Sequence, residues 1–289
     1  MKEFPLLMMH TVALRPYVFI FMLIYILGCT LHLGFKRTVL FGLAGYGIAW
    51  LSEFSSIHIG IPYGDYFYIE QTRGREIWVL GVPLIDSMSY VFLAYASYSV
   101  ALLVSSPLMR LGKTLYVLET RAIRSSGFVR ILAAALFVYL DIIIDPVALC
   151  GSRWFLGQLY GYPHGGAYFG VPISNFAGWL IVGFLMIAAL QKIDSWLSRS
   201  GAENIIGYKY PWRYLVGPVL YTGVLIFNLS MTFAIGELTM GWAGVFIVLL
   251  PSALVYSMIR IKLAAGKNPD ALEKHLHDFP PAAVNFQMQ

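Results

Sequence analysis

Two aspartates four residues apart, Asp141 and Asp145, close one apolar run and open a loop dense in glycine and aromatic residues. On a helix that spacing puts both carboxyls on one face. In such a buried pair one group keeps its proton through desolvation and its neighbour's charge, which suits a general acid. Asp145 has a second reading, because Asp followed by Pro146 is also the signature of a cap and first turn from which a short helix would start. Capping does not account for Asp141, which lies where the helix dipole disfavours an anion. Glu53 holds the same unfavourable position near the end of an earlier apolar run, with no basic residue within helical reach. Asn175 opens the run after the loop and reads either as a site residue or as an amide bridging two helices. Asp86, beside Ser87, reads more as a cap, and Glu237 as a solvated turn residue. His58 and His164 lack a third ligand at usable spacing, so no metal and no cofactor is expected.

The elements that must position these groups are membrane helices. The chain has 289 residues, of which 58% are hydrophobic and 12% charged, and a mean hydropathy of +0.70, which excludes an ordinary soluble protein. A crossing helix needs about 20 mostly apolar residues. That rule predicts an all-α integral membrane protein of about seven transmembrane helices, at 16–35, 38–57, 77–104, 128–149, 170–191, 213–234 and 240–263. The third is long enough to begin with a turn around Gly81-Val82-Pro83. Residues 1–265 form the polytopic domain, and 266–289 read as a soluble, flexible tail. Cys29 and Cys150 fall near opposite faces, so no disulfide is expected. Ile26-Leu27-Gly28-Cys29 has some likeness to a lipoprotein cleavage site, but the apolar run continues past it, and it reads as part of a first span.

The net charge of +5 needs no nucleic acid to explain it. Fifteen Lys and Arg fall on one side, among them Lys36, Arg37, Arg124 and Arg213, and five on the other: Lys2, Arg15, Arg73, Arg75 and Arg153. Positive residues stay inside, so the N-terminus is expected outside and the C-terminus in the cytoplasm. Glu53, Asp86, Asp141, Asp145, Asn175 and Glu237 all fall toward the basic-poor face. A charge within a span costs several kcal/mol and so marks a cavity or a partner.

That face also carries two loops, from Ser55 to Glu76 and from Cys150 to Phe169. Each follows a span ending in a carboxylate, is loaded with Gly, Pro and Tyr, and closes with Gly-Val-Pro, at Gly81 and again at Gly170. This is a weak internal repeat of a helix, loop, helix unit, and two such units facing each other make a pocket near the membrane surface. Tyr63 to Ile69 alternates like a short strand or turn. On the basic face, Ser105 to Gly127 reads either as an amphipathic helix on lipid or as a solvated connector. The aromatics of the loops, including Tyr63, Tyr66, Tyr68, Trp154, Tyr160, Tyr162, Tyr168 and Trp179, fit an interfacial belt, and would equally line a site that stabilises a cation.

The span ending in Glu53, the run Pro62-Tyr63-Gly64-Asp65-Tyr66-Phe67-Tyr68, the Gly81-Val82-Pro83 turn, Asp141-Ile142-Ile143-Ile144-Asp145-Pro146, Trp154, and Tyr168 through Trp179 together resemble the CruF-type membrane carotenoid biosynthesis proteins. Asp86 departs from the apolar or aromatic residue expected there. The resemblance implies a hydro-lyase that adds water to a terminal isoprene double bond of an acyclic carotenoid end, as carotenoid 1,2-hydratases and bisanhydrobacterioruberin hydratases do. It implies Asp141 or Asp145 as proton donor, Glu53 as partner or water-orienting base, Asn175 as positioner, and Tyr63, Asp65, Tyr66, Tyr68, Trp154, Tyr168 and Trp179 against the substrate. The partners implied are a carotenoid, water, membrane lipid and other enzymes of the pathway, in a bacterial or archaeal cell membrane, with no nucleic acid. Rival classes are an intramembrane prenyltransferase holding Mg²⁺ at Asp141-xxx-Asp145 and a transporter or binding protein for isoprenoid lipids.

Overall fold

The computed structural model describes residues 3–286 except 156, 202–205 and 267. Lys2 and Lys267 of the basic tally, and 287–289 of the expected tail, lie outside the described residues. Each predicted span coincides with a helix: α2 (Pro16–His32), α3 (Phe35–Ile59), α4 (Leu84–Ser105), α6 (Gly127–Leu149), α7 (Ile173–Arg199), α8 (Val216–Ala234) and α9 (Leu238–Ala264). Among the described residues, however, only five helices are individually long and apolar enough to cross a membrane. A sixth counts if α1 (Glu3–Leu14) and α2, which meet at 93°, are taken as one broken span. The shortfall from seven has a plain cause. Pro16 shortens α2 to 17 residues, and α3, although 25 residues long, is diluted by Lys36, Arg37, Glu53 and its serines.

Helix α4 is the hub. It packs against α2, α3, α6 and α8, and 83% of its most apolar stretch is buried, against 17% for α9 at the periphery. Trp242, Phe246, Leu249 and Leu250 of α9 are exposed, as suits a helix whose outer surface meets hydrocarbon. Small residues let the hub's neighbours approach. A Cβ on Gly217 of α8 would stand 2.2 Å from the Ser99 side chain, and one on Gly183 of α7 would stand 2.7 Å from the Phe137 ring.

Helix α6 is capped by Ser126, whose Oγ accepts from the Val129 amide at 3.1 Å, and it runs without a break through Asp145 and Pro146 to Leu149. No helix starts at Asp145, which corrects the capping reading. Pro146 removes one helical hydrogen bond near the C-terminal end, where the turn is held by other contacts.

On the basic face, the segment read as an amphipathic helix or connector is a hairpin, β4 (Leu108–Leu111) with β5 (Thr114–Val117), followed by the short α5 (Arg121–Arg124). Gly112, with φ of +57°, makes the turn. Met109, Tyr116 and Leu118 then bury against Ala271 and Leu272 of α10 (Pro269–Asp278). Two basic residues counted toward topology, Arg37 and Arg124, are neutralised inside the protein, and His32 joins them. Arg37 Nε donates to Asp194 Oδ1 at 2.5 Å, Arg124 Nε donates to Glu119 Oε2 at 2.7 Å, and His32 Nε2 lies 2.9 Å from Glu119 Oε1. The tail helix caps this network: His275 Nδ1 lies 2.6 Å from the Glu119 carbonyl, and the Arg124 guanidinium sits 4.5 Å over the Phe279 ring.

Candidate active site

The two loops of the opposite face are built alike. In the first, Trp78–Val79 (β2) pairs with Val82–Pro83 (β3) around Leu80 and Gly81, with φ of +50° and +87°. In the second, Tyr168 pairs with Val171 around Phe169 and Gly170, with φ of +46° and +86°. Two successive left-handed residues define the tight hairpin turn whose twist matches its flanking strands. Each hairpin's proline then leads directly into a helix, α4 or α7. The loops also pair with each other, Phe67–Tyr68 (β1) running antiparallel to Tyr160–Gly161 (β6). The repeat read from Gly81-Val82-Pro83 and Gly170-Val171-Pro172 is therefore a structural one, and its two copies face each other.

Aligning the copies at Pro83 and Pro172 gives correspondences that the sequence reading missed. Asp86 and Asn175 stand at the same step into their helices, as do Tyr90 and Trp179. The latter two rings stack across the interface with centroids 4.5 Å apart and planes at 19°. Each copy also surrounds its carboxylate with tyrosines. Glu53 accepts from Tyr66, from Tyr90 and, at 2.6 Å, from Tyr68. Asp145 accepts from Tyr160 and, at 2.8 Å, from Tyr162. Burial with the Glu53 and Asp86 charges pushes the Tyr66 hydroxyl well above the ordinary phenol range. Burial with Asp86 and Glu53 does so at Tyr68, and burial with Asp145 at Tyr160. These phenols stay protonated and serve as donors.

Asn175 Nδ2 donates to Asp145 Oδ2 and to Asp141 Oδ2, both at 2.8 Å. An amide nitrogen has two hydrogens and here uses them to hold two carboxyls on one helix face. Asp141 is fully buried, and its Oδ1 has no hydrogen-bond partner.

Between the copies lies a cavity of about 110 Å³ that opens at its mouth. Of the residues singled out in the sequence, Glu53, Asp145, Asn175, Tyr63, Tyr66, Trp154 and Trp179 line it, together with Asp86. Asp141 and Tyr68 sit behind the wall, bonded to residues that line it. Two expected residues are not brought to it. Asp65 is exposed beside Gly60, and Tyr168 packs on Phe169 and Phe176. Tyr90, Tyr160, Tyr162 and Asn228 complete the polar lining, and Tyr17, Phe21 and Phe92 extend it as an apolar arm between α2, α4 and α8. The repeat offered a signal for Tyr90, Tyr160 and Tyr162; for Asn228 of α8 the sequence offered none. Glu237 pairs with Arg153 at the surface, away from this cavity.

This arrangement gathers carboxyls, phenol donors and aromatic rings around one cavity, where protons can pass between the carboxyls and a bound group. No curated protein and no solved structure matches the chain. The family model for carotenoid biosynthesis proteins matches residues 11–251, a stretch that contains both loops, every carboxylate described above and the helices that carry them. The chain therefore belongs to the carotenoid biosynthesis protein family.

Proposed function

We propose that this family member is a carotenoid hydratase, adding water across the terminal isoprene double bond of an acyclic carotenoid end. The observation that carries the reading is the pair of tyrosine-ringed carboxyls, Glu53 and Asp145, on opposite copies of the repeat around one aromatic-walled cavity. Hydration of an alkene protonates one carbon, leaves a tertiary cation on the other, and captures that cation with water. It needs an acid, a base for the water proton, and walls that stabilise a cation without reacting with it. Glu53 and Asp145 supply the acid and base, and Tyr90 and Trp179 supply the walls, each worth up to about 2 kcal/mol when desolvated. Asn175 fixes Asp145, and Asp141 is the second anchor for that amide. A general acid and base together account for roughly 10²–10⁴-fold each in rate.

The substrate fits the site's place in the membrane. A linear carotenoid is about as long as the hydrocarbon core is thick, about 30 Å, so its end group reaches one interface. The apolar arm of Tyr17, Phe21 and Phe92 gives the polyene a way back into the core. In this reading α2 and α3 also cross the membrane, with the carboxyl face outside. The prenyltransferase alternative wants open carboxylate oxygens for Mg²⁺ and a diphosphate. Here three donors occupy the Asp145 oxygens, and Asp141 does not reach the cavity wall. The test is expression in a bacterial host that accumulates acyclic carotenoids, with pigments analysed by mass. A pigment heavier by one water is expected, and a prenylated or unchanged pigment would overturn the assignment.

A further inference from the structure

The hydration scheme gives Asp86 no task, yet its Oδ2 lies 2.5 Å from the Tyr68 hydroxyl oxygen, which is itself 2.6 Å from Glu53 Oε2. A phenol has one hydrogen to give. If Tyr68 gives it to Glu53, the contact with Asp86 is a hydrogen bond only when Asp86 supplies a hydrogen to Tyr68. If Tyr68 gives it to Asp86, Glu53 must supply one instead. The bridge therefore holds one proton between two carboxyls. Shifting two hydrogens along it moves that proton from one end to the other while the heavy atoms stay in place. The other partners of Glu53, Tyr66 and Tyr90, are donors in either state.

The second copy of the repeat is wired differently. Where the first has Asp86 it has Asn175, whose amide gives hydrogens to carboxyls on both sides and so asks both to accept. Three donors converge on Asp145 with no carboxyl reaching it through a hydroxyl. One difference between the two copies, Asp86 in one where the other has Asn175, gives one half a proton to spend and the other half a stabilised anion.

We infer that Asp86, Tyr68 and Glu53 form a proton relay, in which Asp86 reloads Glu53 as the acid while Asp145 accepts the proton of water. The inference rests on the hydratase reading and divides its labour. Asp86 passes its hydrogen to Tyr68 as Tyr68 passes its own to Glu53. The Glu53 O–H bond then breaks, and its hydrogen bonds to the less substituted alkene carbon through the π electrons, leaving the cation on the tertiary carbon. Water oxygen bonds to that carbon and loses one hydrogen to Asp145. On product release Asp145 gives a proton to solvent and Asp86 regains one, so the cycle consumes only alkene and water. Asp86 acts through Tyr68 and Glu53 and is a positioning residue for the proton, although it also borders the cavity.

The test is Asp86→Asn, which keeps an oxygen to accept from Tyr68 but carries no transferable proton. Its kcat is expected to fall about 10²-fold, with KM changed by less than about twofold. Tyr68→Phe should match it, and the double variant should be no slower than the slower single one. An unchanged kcat, a loss confined to KM, or additive losses would overturn the relay. Infrared spectroscopy of the resting protein needs no substrate. Tyr68→Phe should shift one carbonyl band of a protonated buried carboxyl, and Asp86→Asn should remove that same band. If the band that Tyr68→Phe shifts survives Asp86→Asn, the relay is overturned whether or not the protein hydrates carotenoids, whereas a wild-type protein that has the band but makes no hydrated product sinks the hydratase reading alone.

Discussion

Either Asp141 or Asp145 could be the proton donor on the sequence alone, and the structure separates them, which makes their asparagine variants the sharpest comparison available. Asp145 lines the cavity and accepts three hydrogen bonds on its two oxygens, from Tyr160, Tyr162 and Asn175. In Asp145→Asn the single amide oxygen can serve the Tyr162 and Asn175 donors, and the amide NH₂ is left facing the Tyr160 hydroxyl. One mismatched buried donor costs about 1–3 kcal/mol of stability, while loss of the proton acceptor costs about 10²–10⁴-fold in kcat. Asp141 accepts one bond, at Oδ2, and does not reach the cavity. In Asp141→Asn the amide oxygen keeps that bond, so the expected loss in kcat is within about tenfold. The assay is turnover of an acyclic carotenoid by purified protein in detergent or lipid nanodiscs, with thermal unfolding measured in parallel. Equal losses in kcat from the two variants, at equal stability, would refute the separation of roles.

Removing a wall of the cavity should act on rate more than on binding. Trp179→Leu forfeits up to about 2 kcal/mol of cation stabilisation, a loss of roughly 10–30-fold in kcat with a smaller change in KM, measured by the same turnover assay. Gly178→Ala should disturb the first loop, because its Cβ would lie 2.5 Å from the Tyr63 ring and 2.7 Å from the Pro62 carbonyl oxygen. Backbone has to move there, so about 1–3 kcal/mol of stability is expected to go, visible as a lower midpoint of thermal unfolding with Tyr63→Phe as the milder control. The tail helix should respond to acid. Burial holds His275 below its ordinary value, opposed by its bond to the Glu119 backbone and the Glu119 charge and assisted by Arg213 and Arg124. A histidine kept neutral when docked and free to protonate when released costs nothing at pH 8. Its docking weakens as pH falls below about 6.5, where the released form takes up a proton. Protection from hydrogen exchange across Pro269–Asp278, taken relative to the intrinsic rate at each pH, should therefore fall between pH 7 and 5 in the wild type and lose that dependence in His275→Gln.

What the sequence made legible, and what it hid, follows from the range of the interactions. The helices and the two loops announce themselves through runs of apolar residues and repeated Gly-Val-Pro, which are local signals. The carboxylates could be placed on one face because each closes or opens such a run. Tyr160 and Tyr162 fit an interfacial belt as well as a site lining, because an interfacial tyrosine and a tyrosine bonded to Asp145 look the same in sequence. Only the pairing of Tyr68 with Tyr160 across the two loops shows which they are. Asp86 was discounted as a cap, although Pro83 is the capping residue of α4 and the Asp86 carboxyl points to Tyr68. On the opposite face, Arg37 and Asp194 are far apart in the chain, and nothing local to either predicts that they neutralise each other. Charge counting for topology treats such an arginine as free. Asp65, adjacent to site tyrosines in sequence, turns outward because Gly64, with φ of +95°, reverses the chain there.

Under the proposed hydration, oxygen from water is added to a carotenoid end in the cavity between Glu53 and Asp145. The most direct measurement is conversion of an acyclic carotenoid by purified protein in water enriched in heavy oxygen, followed by mass analysis of the product. A tertiary alcohol carrying the heavy isotope is expected in the wild type and almost none in Glu53→Gln or Asp145→Asn. A product without the isotope, or full labelling in both variants, would contradict it.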